Sequence, residues 1–272
     1  MNENIALIEH KKDRIEDKEF SADTLKASFS QNEFIRVYAV KKTFEDVDFS
    51  QCSFTACYFR NCKFIRCNFT GSQFKETYLK GSRFPESIFK YTTFEKSPID
   101  DNILETGLPS EENLARDVVR SLRINFSQTG DYEAVNKAIS IEVSLTGIHL
   151  YNAAYSKQSY YRGKESYSGF NRLKFFAKHA AWKFLDLLWG NGESIPRIIF
   201  SSICFMIFIA VMIYAGNHNT GLFGSFLASV YSFWGVNSVL VIPAQYTLLL
   251  TISRLVFFSL FISVLIKRLA RR

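Results

Sequence analysis

Histidine is scarce: His10, His149, His179 and His218 are scattered along 272 residues. No glycine-rich phosphate loop, established metal-ligand spacing or nucleophile motif accompanies them. These absences exclude the common enzyme chemistries and imply neither catalysis nor a cofactor. The opening residues, MNENIALIEHKKDRIEDKEF, hold no apolar run, so no signal peptide is expected. Formal charge is missing from the whole stretch between Arg197 and Arg254, in a chain whose net charge is +7. Cysteine is also sparse. Of five, four lie in QCSFTACYFRNCKFIRCNF (51–69), and the fifth is Cys204.

What is present is a period of five. Cys52, Cys57, Cys62 and Cys67 each stand two residues before a phenylalanine: Phe54, Phe59, Phe64 and Phe69. The same spacing runs back through Phe49, Phe44, Ala39, Phe34 and Phe29, and forward through Phe74, Leu79, Phe84, Phe89 and Phe94. Twelve of these fourteen positions are Phe. Neither a helix nor a flat strand has this period, so the segment is an internal repeat. The position two before each Phe stays small after the cysteines: Ser72, Thr77, Ser82, Ser87, Thr92. A large and a small residue therefore point inward, and the remaining three positions face water.

This pattern resembles the pentapeptide-repeat proteins, whose repeat centres on Leu or Phe with a small residue two before it. The resemblance implies a right-handed quadrilateral β-helix with four repeats per coil. Residues 29–94 would give about three and a half coils and a rod roughly 17 Å long. Its axis would be filled by Phe44, Phe49, Phe54, Phe59, Phe64, Phe69, Phe74, Leu79, Phe84, Phe89 and Phe94. Asn32, Val37, Ala39 and Lys42 depart from the pattern. In such a coil the four cysteines are small core plugs. The alternative is zinc, because four consecutive repeats put four thiols on the four walls of one coil. Adjacent disulfides would distort those walls, and nothing indicates an oxidising compartment.

The uncharged zone divides in two. Ile198–Gly216 is 19 almost wholly apolar residues, about 28 Å as a helix, close to the hydrocarbon thickness of a bilayer. Tyr246–Ile266 gives a second run of 21 residues, ending at KRLARR. Lys157, Arg162, Lys164, Arg172, Lys174, Lys178, Lys183 and Arg197 precede the first run. Lys267, Arg268, Arg271 and Arg272 follow the second, and the connection holds no Lys or Arg. The positive-inside rule then places both termini in the cytoplasm of a multi-pass inner (plasma) membrane protein. The compact, modular build is bacterial in style.

Between repeat and membrane, Leu114, Val118, Leu122 and Phe126 recur every four residues after Ser110, an N-cap by type. Asp131 caps a second helix, and the pair reads as an αα-hairpin. NRLKFFAKHAAWKFLDLLWGNG follows, with Leu173, Phe176, Ala180, Phe184 and Leu187 or Leu188 on one apolar face among lysines. It reads as an interfacial amphipathic helix, or otherwise as a solvated core helix. The segments are 1–26, an N-terminal stretch; 27–97, the β-helix; 98–170, linker and hairpin; 171–192, the basic helix; and 193–272, the two-span module.

A second resemblance rests on Gly190, Gly192, Glu193, Pro196 and Arg197, then FLASVYSFW (226–234), then Pro243. Some pentapeptide-repeat membrane proteins carry such a segment before a module like the potassium-channel pore: span, re-entrant helix and filter, span. The resemblance implies a homo-oligomer, a tetramer by analogy. The filter departs from that family. Gly235-Val236-Asn237-Ser238-Val239-Leu240 keeps one valine and lacks both filter glycines, which removes the basis for potassium selectivity. Asn237 and Ser238 either line a pathway or cap their own loop. Arg254 lies 13 positions before Lys267, about 20 Å into the second helix. It either snorkels to the outer headgroups or faces the subunit interface or vestibule, donating to carbonyls of the 235–243 loop.

Three function classes follow: an oligomeric ion-channel-like pore set by a cytosolic sensing or binding domain, a membrane-anchored scaffold with a non-conducting pore module, and a soluble-domain activity. Some pentapeptide-repeat proteins mimic DNA with an acidic rod. Residues 29–96 carry 11 Lys/Arg against 7 Asp/Glu, the wrong sign for such mimicry, and no nucleic-acid partner is expected. The partners implied are the lipid bilayer, further copies of the chain, and a cytosolic protein on the β-helix.

Overall fold

The computed structural model describes residues 13–216, 221–237, 240 and 242–270. The chain divides into two compact units, 1–149 and 150–272.

The first unit is a β-solenoid of about four turns. Its first wall is a five-stranded parallel sheet in the order β1 (Arg14–Glu16), β3 (Glu33–Ile35), β6 (Ser53–Thr55), β9 (Gln73–Lys75), β10 (Thr93–Glu95). The second wall pairs β4 (Tyr38–Val40) with β7 (Tyr58–Arg60), and the third orders β2 (Thr24–Leu25), β5 (Thr43–Glu45) and β8 (Lys63–Ile65). Single parallel bridges Ser28–Asp48, Asp48–Asn68 and Asn68–Ile88 make the fourth. From β2 upward, strand partners stand four pentapeptides apart in sequence, as in Phe34↔Phe54 and Phe54↔Phe74. Four strand spacings separate β1 from β10, roughly 19 Å.

The coil starts earlier than the period of five reveals. Thr24 pairs with Phe44 at the full four-repeat interval, whereas Ile15 pairs with Phe34 at an interval shorter by one. One residue is therefore missing between the second and third walls of the first coil, and the frame slips there. Every other corner of the described solenoid from Asp17 to Lys96 carries a left-handed residue two after the inward position, from Asp17 and Lys26 to Tyr91 and Lys96, with Gly71 and Gly81 among them. The shortened corner has none, because its turn lost a residue. The ladder thus includes Ile15 and Phe20, which the stretch 1–26 set apart. At the other end Ile99 and Ser97 continue the frame, both buried, one repeat beyond Phe94.

The core is made of stacked rings. Phe34, Phe54, Phe74 and Phe94 stack along the first wall at centroid distances of 4.8, 4.7 and 5.1 Å. Phe44, Phe64 and Phe84 stack on the third, and Phe29, Phe49, Phe69 and Phe89 on the fourth. Rings of neighbouring walls meet edge to face, as Phe64 and Phe69 do at 71°, the geometry favoured by the ring quadrupole. From Phe29 to Ile99 the exceptions to Phe collect on the second wall, where Ala39, Leu79 and Ile99 are in line with Phe20 and Phe59. Phe20 makes up for Ala39, reaching Phe44 at 5.0 Å.

Small residues beside the rings carry a buried polar ladder. Ser82 Oγ donates to the Phe59 carbonyl at 2.8 Å and accepts from the Cys62 amide at 3.0 Å. Ser87 does the same with Phe64 and Cys67. The thiols copy this arrangement one coil below, each 3.4–3.5 Å from the carbonyl of Phe34, Ala39 or Phe44 for Cys57, Cys62 and Cys67. Cys52 Sγ points at the Phe29 carbonyl.

A hairpin closes the top. After α1 (Ile103–Thr106), α2 (Glu112–Thr129) buries Val118, Val119, Leu122 and Phe126 in the same core, and Leu114 is buried as well. Glu111 takes the N-cap position rather than Ser110, and its carboxylate pairs with Lys90. Gly130 ends α2 in the left-handed conformation, and Asp131 Oδ1 accepts from the Ala134 amide to open α3 (Tyr132–Tyr155). Arg120 and Arg123 of α2 both pair with Glu142 of α3.

In the second unit α4 (Ser159–Arg162) and α5 (Gly169–Trp189) precede α6 (Ile195–Gly216), α7 (Leu222–Trp234) and α8 (Ala244–Ala270). α6 and α8 are long and apolar enough to cross a membrane. α7, at 13 residues, is about 20 Å long and too short to do so. Met206, Ile209, Ile213, Phe233 and Leu250 form the core where these three helices meet.

Candidate functional site

Two arrangements in the second unit bring the sequence candidates together. The first is the end of α7. Ser225 and Ser229 are fully buried, and Ser229 Oγ donates to the Met206 carbonyl of α6 at 3.1 Å. α7 ends at Gly235, whose φ of 76° is the left-handed region open to glycine. The Val236 amide closes the turn on the Tyr231 carbonyl at 2.8 Å. A Cβ on Gly235 would collide with Nη1 of Arg254. The guanidinium of α8 therefore lies against the C-terminal turn of α7, the negative end of that helix's dipole. Gly235, Val236 and Asn237 are exposed in the single chain. Ser238 and Val239 lie outside the described residues, as do His10, His218, Arg271 and Arg272. Pro243 stands directly before α8, where its carbonyl accepts from the Tyr246 amide.

The second arrangement is the junction of α5, α6 and α8. Gly190 ends α5 with φ 63°, and Pro196 sits in the first turn of α6, where its missing N–H costs nothing. Arg197 Nη1 donates to both the backbone carbonyl and Oδ1 of Asp186, at 2.8 and 2.5 Å. Ser201 Oγ donates to the Leu188 carbonyl at 3.0 Å. The last carbonyls of α5 are thus held by α6. Gly192, at φ 89°, leaves room for Lys267: a Cβ there would stand 2.9 Å from its Nζ. Lys267 also lies over the Trp189 ring and 4.0 Å from Glu193, while Arg268 donates to the Glu193 carbonyl at 3.2 Å. The motif Gly190, Gly192, Glu193, Pro196, Arg197 thus joins the two long helices at one end. Asp186, Ser201 and Lys267 were not visible as its partners in the sequence, because no spacing rule links them.

α5 presents Leu173, Phe176, Phe184 and Leu187 to the outside, with Leu187 66% exposed. No residue of this helix is buried.

The four cysteines of the solenoid do share one coil, on four different walls. Burial pushes the thiols of Cys57 and Cys67 up to about 11 and that of Cys62 in the same direction, so they stay protonated near neutral pH and are poor metal ligands. Among the described residues no group of three or more His, Cys, Asp or Glu is placed to hold a metal. Cys62→Ser is expected to shift the unfolding free energy by under ~1 kcal/mol, since Ser82 makes the same bond. Urea unfolding of the full chain with and without a chelator checks this. A chelator-sensitive transition would contradict it.

An outer feature of the solenoid escapes the period of five. Tyr38, Tyr58 and Tyr78 stack on the second wall at 5.2 and 5.0 Å, with Arg60 on the same strand as Tyr58. They stand one full coil apart, a spacing legible only once the coil length is known.

A profile of the pentapeptide repeat region matches residues 27–104. No curated protein matches the chain. Among 15 matching chains of solved structures is trypsin-treated QnrB1, described as a plasmid-mediated fluoroquinolone resistance protein. It is similar at 12% identity over 32% of this chain, with a TM-score of 0.14. The match spans 61% of that chain.

Proposed function

We propose that the chain is an oligomeric, ion-channel-like protein of the inner membrane, controlled by its pentapeptide-repeat domain in the cytosol. On this reading α6 and α8 span the bilayer, α7 enters it and returns, and several copies, four by analogy, surround the 235–243 loop. No chemistry is catalysed. The observation that carries the reading is α7 itself: a short apolar helix between two span-length helices, packed on both, with its C-terminal turn held beside Arg254. The fixed charge of Arg254 at that turn opposes cations, which fits the loss of the potassium-type filter glycines. A protein partner of the solenoid would sit on the Tyr38–Tyr58–Tyr78 wall, since aromatic side chains with an arginine are the usual anchors of interfaces.

Purified full-length protein in planar bilayers tests this. Conductance is expected, with Arg254→Leu shifting the reversal potential towards cations and Arg254→Lys restoring only part, because lysine lacks the planar fork. Unchanged conductance and assembly in Arg254→Leu would leave snorkelling as the better account of this residue.

The absence of any glycine from 236–240 favours one other reading, a scaffold whose pore module only tethers the solenoid. Intact oligomers that never conduct would support it.

A further inference from the structure

A groove of about 670 Å³ lies along α5 and α6, its lining combining the polar Tyr155, His179, Lys183, Asp186 and Arg197 with the apolar Phe184, Leu187 and Phe200. We infer that it holds one anionic phospholipid, with the phosphate between Lys183 and Arg197 and the acyl chains along the three apolar side chains. The inference rests on the reading of α6 as a span.

Charge complementarity is the first argument. Among the described residues Lys183 forms no ion pair. Arg197 is anchored by Asp186, but both of those bonds use Nη1, so the guanidinium is positioned rather than consumed. Asp186 also lines the groove, and its carboxylate is engaged by Arg197. His179 is fixed edge-on between the rings of Tyr151 and Tyr155, at 5.6 and 5.3 Å. That contact settles the polar wall before any ligand arrives.

Continuity with the lipid-facing surface is the second argument. Phe184 and Phe200 are 60% and 63% exposed, and they lead out of the groove onto the apolar faces of α5 and α6. A free phosphate would use the cations and leave this apolar wall uncovered. A phospholipid covers both. The site lies beside the α5–α6 junction, on the side that the positive-inside rule places in the cytoplasm. There anionic headgroups attract basic residues by about 1 kcal/mol each.

The test uses full-length protein in detergent, titrated with short-chain phosphatidylglycerol, short-chain phosphatidylcholine or inorganic phosphate, and read by native mass spectrometry. One tightly held phosphatidylglycerol per chain is expected. Lys183→Gln should weaken it about fivefold, the worth of one basic residue beside an anionic headgroup. Arg197→Gln should weaken it too, although loss of the Asp186 contact makes Lys183→Gln the cleaner variant. Lys178→Gln removes the same charge from α5 outside the groove and should leave binding unchanged. Equal loss in Lys178→Gln, or equal retention of phosphatidylcholine, would overturn the site. Displacement of the lipid by inorganic phosphate would show a free-anion site instead and also overturn it. A chain that stays monodisperse without detergent would sink the membrane reading itself, whereas a detergent-dependent chain with no lipid preference sinks only this site.

Discussion

Phe54→Ala is expected to destabilise the solenoid by about 3–5 kcal/mol, near the upper end for a buried aromatic. Phe54 is 1% exposed and lies between Phe34 and Phe74, at 4.8 and 4.7 Å with nearly parallel rings. It also meets Phe49, Phe59 and Phe69 at an angle. Truncation opens a void in the middle of a rigid column. The coils above and below are held by parallel backbone ladders, so they cannot collapse into it. Phe59 is the control. It occupies the same coil but stands between Ala39 and Leu79, and makes no parallel stack with either. Phe59→Ala should therefore cost less, by ~0.5–1.5 kcal/mol for each of the two stacked pairs it lacks. Urea unfolding of the full-length variants in detergent, followed by circular dichroism, gives both values. A Phe59→Ala cost equal to or above that of Phe54→Ala would show that stacking adds nothing to burial here.

Asn125→Leu should unlatch the top of the solenoid. The last coil has no strand above it to satisfy its edge, the liability of every open sheet. Helix α2 supplies side chains instead. Ser121 Oγ accepts from the Phe94 amide at 2.8 Å, Gln128 Oε1 from the Lys96 amide at 2.8 Å, and Asn125 Oδ1 from the Ser97 amide at 2.7 Å. Asn125 Nδ2 also donates to the Ser97 carbonyl at 2.7 Å. Asn125 and Ser97 are both fully buried, so water cannot replace either bond. Leucine leaves two backbone groups unsatisfied, at about 1–3 kcal/mol each. Hydrogen exchange by mass spectrometry should show protection of residues 94–99 falling before that of the coils below. Gln128→Leu, at an exposed bond, should have a much smaller effect. Full protection of residues 94–99 in Asn125→Leu would mean that burial alone holds the cap.

The repeat itself was legible because a solenoid writes its geometry locally: each coil copies the one before it, so the inward positions recur at a fixed interval. Phe44 to Phe94 and the small residue before each ring needed nothing but counting. The apolar runs of α6 and α8 were legible for a similar reason, since composition and length decide them without partners. The tyrosine wall needed the coil length, which the period of five alone does not contain and the resemblance supplied.

Other features had no local signal. The slip between Phe20 and Thr24 hides Ile15 and Phe20, because a period search fails at a single lost residue, whereas backbone pairing absorbs it in one corner. Asn125 reads as a polar interruption in an amphipathic helix until the edge of β10 lies beside it. Lys267 reads as a flanking charge until Gly192 gives it a place, and Gly235 reads as the first residue of a degenerate filter until Arg254 lies against it. In each case the sequence determined the residue and its chemistry. Its partner, 28 residues away for Ser97 and Asn125 and much farther for Gly192 and Lys267, was decided only by the tertiary structure, because a buried polar group or a close approach to glycine is specified by what folds against it.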